Sequence, residues 1–296
     1  MHDFNGFKSG FVALVGAPNA GKSTLMNRLL GEKLSITSRK PQTTRHRILG
    51  VVHNEDFQLV FVDTPGVHKS SRALNVHMVD VALTALGDVD VVVLMADVHE
   101  EDKESELYLM RQLKKVTKPV ILALNKVDRI KKPEVLAHIE KWKEIHDFHA
   151  IIPLSAKHGD QVEFLLSEIA GIMPEGPPFY PEDVITDLPE RFFVAELIRE
   201  KVFRLTGQEV PYSTAVTVDT FEREKKLVHI DATIHVERDS QKGIIIGKKG
   251  TKLKAIGEDA RKAIEEMVEK KVFLKLFVRV EKNWSKDTKA IRRLGI

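Results

Sequence analysis

Short runs of Val, Ile and Leu alternate with amphipathic stretches over residues 10–173. GFVALVGA (Gly10–Ala17), FQLVFVD (Phe57–Asp63), DVVVLMAD (Asp90–Asp97), PVILALN (Pro119–Asn125) and AIIPLSA (Ala150–Ala156) are apolar almost throughout. Strands buried on both faces have this pattern. KSTLMNRLL (Lys22–Leu30) and SELYLMRQLKKV (Ser105–Val116) lie between them and read as helices. Strands alternating with helices predict a mostly parallel sheet covered on both faces. In such sheets a ligand sits beyond the carboxyl ends of the strands. These runs end in polar or small residues suited to face one.

MPEGPPFYPED (Met173–Asp183) holds four prolines and a glycine, which reads as an interdomain linker. After it the rhythm changes. RFFVAELIREKVFRL (Arg191–Leu205) is helix-like, and STAVTVDTF (Ser213–Phe221) and KLVHIDATIHVE (Lys226–Glu237) alternate as antiparallel strands do. A Gly-rich turn follows, then a helix over Lys252–Lys270 and a strand over Val272–Glu281. The expected organisation is a nucleotide domain over 1–175, a linker over 176–190 and an α+β module over 191–296 with a short tail.

Composition narrows the chemistry. The 296 residues include no cysteine, so disulfides, thiolate nucleophiles and zinc–thiolate sites are excluded. With 43% hydrophobic and 30% charged residues the chain is ordinary globular material. No apolar run approaches the ~18 residues a membrane helix needs, and the first ten residues carry no secretory pattern. A cytoplasmic location is expected.

Four motifs carry the chemistry. GAPNAGKS (Gly16–Ser23) fits G-x-x-x-x-G-K-[ST] and stands between a strand and a helix, as a phosphate loop requires. Gly16, Ala17, Pro18, Asn19, Ala20 and Gly21 would wrap phosphates with backbone N–H groups at a positive helix N-terminus. Lys22 is placed to reach the outer phosphates, Ser23 to bind Mg²⁺, and Thr24 completes the segment. DTPG (Asp63, Thr64, Pro65, Gly66) ends the second strand; Asp63 would hold Mg²⁺ and the Gly66 N–H would sense a γ-phosphate. NKVD ends the fourth strand with Asn125, Lys126 and Asp128. The Asp128 carboxylate can accept from N1 and N2 of guanine, a donor pair adenine lacks, and Lys126 would lie along the base. SAK (Ser155, Ala156, Lys157) follows the fifth strand and would set the Ala156 N–H on the guanine carbonyl.

This motif set is that of the translation-factor class of P-loop GTPases. With TSRKPQTTRHRILG (Thr37–Gly50) and the GKKG loop below, the whole chain resembles the Era family, bacterial GTPases with a C-terminal KH domain. The resemblance implies a first switch in which Thr44, in preference to Thr43, contacts Mg²⁺ and the γ-phosphate. It assigns Lys22, Thr44 and Gly66 to catalysis and Ser23, Thr44 and Asp63 to the metal. Where Ras-like GTPases orient the catalytic water with glutamine, this chain has Val67, which is expected to face the nucleotide but cannot hydrogen-bond, so intrinsic hydrolysis is expected to be slow. Asn19 resembles an asparagine that holds K⁺ in some relatives; its other reading is loop shape. His46, His53, His68 and His77 lie near the switch regions and read as solvated loop histidines in preference to a catalytic base.

The C-terminal module contains G-x-x-G at Gly247–Gly250, in an element order resembling the type II KH arrangement. Such a loop clamps a nucleic-acid backbone. Ile246, Gly247, Lys248, Lys249, Gly250, Lys252 and Lys254 are the candidate RNA contacts. The net charge of +3 hides an asymmetry. Residues 1–178 hold 22 basic and 23 acidic side chains, whereas residues 240–296 hold 16 basic and 7 acidic. A basic stretch over a GxxG loop is the footprint of a nucleic-acid binder.

The reading is a monomeric GTP-hydrolysing switch that binds RNA. The resemblance implies the 3′ end of 16S ribosomal RNA and a role in small-subunit (30S) assembly. Two alternatives stay open: an RNA chaperone with nucleotide as a structural ligand, and a GTPase held peripherally at the cytoplasmic membrane face by its basic segment.

Overall fold

A computed structural model describes residues 6–32, 34–36, 44–67, 73–206, 210 and 213–296. The chain forms two compact units, one built on residues before Leu188 and one on Leu188–Ile296. Residues 37–43 of the first switch segment, Thr43 among them, and His68 lie outside the described residues.

In the first unit the elements run β1 (Lys8–Gly16), α1 (Lys22–Leu30), β2 (Ile48–His53), β3 (Phe57–Asp63), α2 (Ala73–Thr84), β4 (Val91–Asp97), α3 (Lys103–Leu113), β5 (Val120–Asn125), α4 (Lys132–Lys143), β6 (Ala150–Leu154) and α5 (Val162–Ile172). The sheet order is β2-β3-β1-β4-β5-β6, parallel except for β2. The unbroken apolar runs divide between two cores. Val12 and Leu14 of β1 pack with Leu25 and Met26 of α1, while Ala13 and Val15 pack with Val79 of α2 and Leu109 of α3. A strand with helices on both faces needs apolar side chains at every position.

Strand β2 is the element the sequence pattern did not predict. It pairs antiparallel with β3 and ends in a tight turn closed by Asn54 N–H to Phe57 O (2.9 Å). The proline-rich stretch is tied to this hairpin. The Gln58 side chain is fully buried. Its Oε1 accepts from Phe179 N (2.7 Å) and Tyr180 N (3.0 Å), and its Nε2 donates to Tyr180 O (2.7 Å). His53 Nε2 lies 2.9 Å from Val184 O, so His53 is a structural contact and not a solvated loop histidine. Replacing Gln58 by Leu would remove the partner of two part-buried N–H groups and of the Tyr180 carbonyl, at about 0.5–1.5 kcal/mol for each bond lost. Gln58→Leu is expected to speed limited proteolysis within 176–187, read by mass spectrometry; an unchanged cleavage rate would reject the tether.

The second unit comprises α6 (Glu190–Leu205), β7 (Ala215–Arg223), β8 (Leu227–Val236), α7 (Asp239–Ile246), α8 (Thr251–Val268), β9 (Lys271–Val280) and α9 (Thr288–Arg293). β8 is central, antiparallel to β7 and parallel to β9. Ile256, Ala260 and Ile264 of α8 are fully buried against Val194 and Ile198 of α6 and Val228 and Ile230 of β8. The apolar stripe of this helix is therefore core and is not offered to a lipid surface. The expected short tail instead folds back: Trp284 is buried and its indole N–H donates to Ser213 O (3.1 Å). No helix among the described residues is long and apolar enough to cross a membrane.

Candidate functional site

The four motifs meet at the carboxyl ends of β1, β3, β5 and β6. The phosphate loop leaves β1 and turns into α1 at Gly21, whose φ of 103° favours glycine; a Cβ there would lie 2.1 Å from Asn125 Nδ2. Asn19 also takes a left-handed φ, 64°, which asparagine tolerates better than most side chains and which shapes the loop.

Lys22 is buried, and its Nζ donates to Gly16 O (3.0 Å) and Ala17 O (2.9 Å). Burial lowers its pKa to about 8, against the attraction of Asp63. An ammonium held in a low-polarity cradle and bonded only to loop carbonyls is strongly attracted to an incoming polyanion.

Ser23, Thr44 and Asp63 come together. The Ser23 hydroxyl is 2.8 Å from Thr44 Oγ1 and donates to Asp63 Oδ2 (2.8 Å). Ser35 Oγ donates to the same carboxylate oxygen (3.0 Å). Asp63 Oδ1 is buried with no hydrogen-bond partner among the described residues. Burial raises the Asp63 pKa, opposed by Lys22 and by hydrogen bonds from Ser23, Ser35 and the Thr64 N–H. Two hydroxyls and a buried carboxylate with a spare oxygen are hard oxygen donors, and they fit Mg²⁺ completed by water and phosphate oxygens.

The remaining DTPG residues divide by role. Thr64 Oγ1 donates to Leu14 O (2.7 Å), and Pro65 is buried. Val67 N donates to Gly16 O (3.2 Å), which holds Gly66 against the phosphate loop. The Val67 side chain is fully buried among Ala13, Val15, Val62 and Val79. It was expected to face nucleotide; it is a core residue, because an apolar side chain beside two apolar layers gains most by burial.

At the base end, Asn125 is turned inward. Its Nδ2 donates to Ala20 O (2.7 Å) and its Oδ1 accepts from Ala156 N (3.0 Å). The Ala156 N–H, expected to meet a guanine carbonyl, is thus engaged by Asn125 here. Asp128 Oδ1 accepts from Ser155 Oγ (2.7 Å), with His158 Nε2 3.7 Å from Oδ2. Burial opposes the Asp128 charge, but the Ser155 hydroxyl, a backbone N–H, His158 and Arg129 outweigh it and hold the carboxyl below its usual range. Lys126 is ion-paired with Asp97, whose Oδ1 accepts from the N–H groups of His99 and Glu100. Lys157 is exposed, and its carbonyl accepts from Arg28 of α1.

In the second unit the GKKG loop joins α7 to α8. Gly247 has φ 71° and ψ 179°, a region open essentially to glycine alone, and a Cβ there would lie 2.7 Å from Lys252 Cβ. Lys248 and Lys249 are exposed, Lys249 with φ 52°, and Lys254 is exposed on the first turn of α8, with Ile246 and Lys252 half-buried beside it. A Cβ on Gly250 would meet open space.

Two families match in tandem: "50S ribosome-binding GTPase" over residues 11–126 and "KH domain" over 209–285. GTPase Era of Geotalea uraniireducens is 51% identical over 290 residues, spanning 98% of either chain. GTPase Era of Geobacter metallireducens is 53% identical over 293 residues, with the same coverage. The chain belongs to the Era GTPases. Like them it is a GTPase, with a P-loop GTPase domain of mostly parallel sheet followed by a KH domain. Two solved Era structures match the whole fold at 40% identity, covering 98% of this chain and 99% of theirs. One is an Aquifex aeolicus Era variant bound to GDP·AlF₄⁻, with a TM-score of 0.93. The other is Era with MgGDPNP and nucleotides 1506–1542 of 16S ribosomal RNA, with a TM-score of 0.94.

Sequence reasoning missed four residues that support this Era GTPase site. Ser35 holds Asp63, and Asn27 holds Ser35 through Nδ2 to Ser35 O and Oδ1 from Ser35 N, both 2.8 Å. Asp97 fixes Lys126, and Arg28 fixes the SAK loop. Only Asp97 had a local signal, a charged residue ending an otherwise apolar strand.

Proposed function

We propose that this Era GTPase binds Mg·GTP at the joined strand ends, hydrolyses it slowly, and uses its KH loop to hold the 3′ end of 16S ribosomal RNA during small-subunit assembly. The observation that carries the nucleotide reading is the meeting of Ser23, Thr44 and the buried Asp63 carboxylate, whose Oδ1 has no hydrogen-bond partner among the described residues, with the buried ammonium of Lys22 across the same loop.

In this reading Ser23, Thr44 and Asp63 hold Mg²⁺, which when bound neutralises charge between the β- and γ-phosphates. Lys22 leaves its two carbonyls and stabilises negative charge that develops on the phosphoryl oxygens. The phosphate-loop and Gly66 N–H groups orient the γ-phosphate, while Asp128 selects the base. Val67 offers no hydrogen bond to an attacking water, so turnover is slow. Loss of the γ-phosphate releases Thr44 and Gly66 and lets their segments relax.

Lys22 makes the affinity pH-dependent. Its pKa in the free protein is about 8, and a bound polyphosphate must raise it. Binding therefore takes up a proton above pH 8, and affinity falls as pH rises there, by up to about tenfold per pH unit. Titration with a non-hydrolysable GTP analogue should be flat between pH 7 and 7.5 and decline above 8. A flat profile through pH 9.5 would rule out this role for Lys22.

Support for the RNA reading comes from the solved Era–RNA complex and from the exposed lysines on a glycine-shaped loop. Gly250→Asp is the test: its Cβ meets no neighbour within 4 Å and its carboxylate stands where phosphate would lie, while Gly250→Ala, which carries the same backbone strain at φ 79° and no charge, is the control. Binding of the 16S fragment should fall at least about tenfold, with GTP affinity unchanged; unaltered RNA affinity would refute the placement of the clamp. Crosslinking to total cellular RNA, with GDP and with a GTP analogue, tests the assembly role: recovery of sequences other than the 16S 3′ end would overturn it.

A further inference from the structure

β9 reads KVFLKLFVRV, and its side chains alternate strictly. Val272, Leu274, Leu276, Val278 and Val280 join the core beneath α6, α7 and α8. Lys271, Phe273, Lys275, Phe277 and Arg279 are exposed on the opposite face. Period-2 patterning normally puts polar residues outside. Here two phenylalanines stand outside instead, 54% and 46% exposed, each between two cations. We propose that this face of β9 is a stacking platform for a single-stranded stretch of RNA, separate from the GKKG loop. The proposal rests on the RNA reading above and extends it to a second surface.

Three observations support it. Phe273 and Phe277 lie four residues apart, about 13 Å along a strand, which is the length of about four stacked bases. The cations are placed to serve the rings and the phosphates together. Lys275 Nζ is 5.5 Å from the Phe277 centroid, and the His229 ring is 5.5 Å from Phe273. Stacking on aromatics within a cationic groove is how single strands are held without sequence readout. β9 is also an edge strand, so a chain can pass around it from the helical side, where the GKKG loop lies.

The neighbouring strands set the limits of the platform. Glu222, Glu224 and Asp231, with Thr220 and His229, line a shallow hollow beside Phe273 and Lys275. Their carboxylates repel phosphate and would confine a polyanion to β9. A dry protein partner fits less well, because charged side chains at every second position are depleted from the cores of protein interfaces.

The test uses the full chain carrying Phe273→Ala and Phe277→Ala together. The probes are 16S nucleotides 1506–1542 and a hexanucleotide from their 3′ end. Stacking is worth about 1–3 kcal/mol per base, so with two rings removed the long RNA should bind at least about 30-fold more weakly. The hexanucleotide, GTP turnover and melting temperature should not change. Phe277→Trp should keep full affinity, and its emission should be quenched by the long RNA only. Unchanged binding of the long RNA, even alongside loss of a protein partner, would overturn the platform. Equal weakening of both RNAs would overturn its separateness from the loop. If the unaltered protein binds neither RNA, the RNA reading fails and the platform with it; if only Gly250→Asp fails to weaken binding, the clamp falls and the platform stands.

Discussion

Lys22→Ala should reduce multiple-turnover phosphate release by at least about 10²–10³-fold, the usual cost of removing one preorganised electrostatic group from a transition state. The reason lies in how Lys22 is held. It is 6% exposed, it is bonded to two carbonyls of the loop it belongs to, and burial has already weakened its hold on the proton. Phosphate can then draw the ammonium from those carbonyls without first stripping bulk water from it. Lys22→Arg should not rescue activity, because a planar guanidinium does not fill a cradle shaped for a compact ammonium. The measurement is phosphate release at saturating GTP, with and without 16S RNA. Release by Lys22→Ala within about threefold of the unaltered protein would remove Lys22 from catalysis, and no release by the unaltered protein even with RNA would favour nucleotide as a structural ligand.

Asp128→Ala is expected to weaken guanine nucleotide binding by about 10²–10⁴-fold, from the loss of two hydrogen bonds to a charged acceptor at about 1.5–3 kcal/mol each. Ser155, His158 and Arg129 keep the carboxylate ionised at neutral pH, so it accepts from both guanine donors and offers none. Inosine nucleotides lack the 2-amino donor and provide the control. The unaltered protein should prefer GTP over ITP, and Asp128→Ala should bind the two about equally. A variant that still prefers GTP would place the base readout elsewhere, with the Asn125–Ala156 pair the first candidate.

The motifs that line the site were legible in the sequence because each is local. Gly16–Ser23, Asp63–Gly66, Asn125–Asp128 and Ser155–Lys157 are short segments at strand ends, where backbone direction follows from the strand itself. α1 over Lys22–Leu30 and the element order of the KH domain were equally legible, since hydrophobic spacing and a glycine turn specify them. What holds the motifs together was not. Ser35 reaches Asp63 across 28 residues, Lys126 reaches Asp97 across 29, and Asn125 reaches Ala20 across 105. No periodicity records a pairing at such separations.

Val67 shows the same division in one residue. Its sequence position says that no hydrogen bond to water comes from there, but only packing shows the side chain turned into the core. β2 was missed because its pairing depends on β3 and on a turn, not on its own pattern. By itself the sequence determined which residues the proposed chemistry can use: a phosphate-loop motif, oxygen side chains suited to Mg²⁺, a carboxylate suited to guanine and a basic GxxG loop. Tertiary structure decided how that chemistry is held, turning Asn125 inward, bringing Ser23, Ser35 and Thr44 to the buried Asp63 carboxylate and setting two phenylalanines of β9 outside. Residue type and local spacing set what a side chain can bond, whereas burial and long-range contact set which of those bonds remain for a ligand.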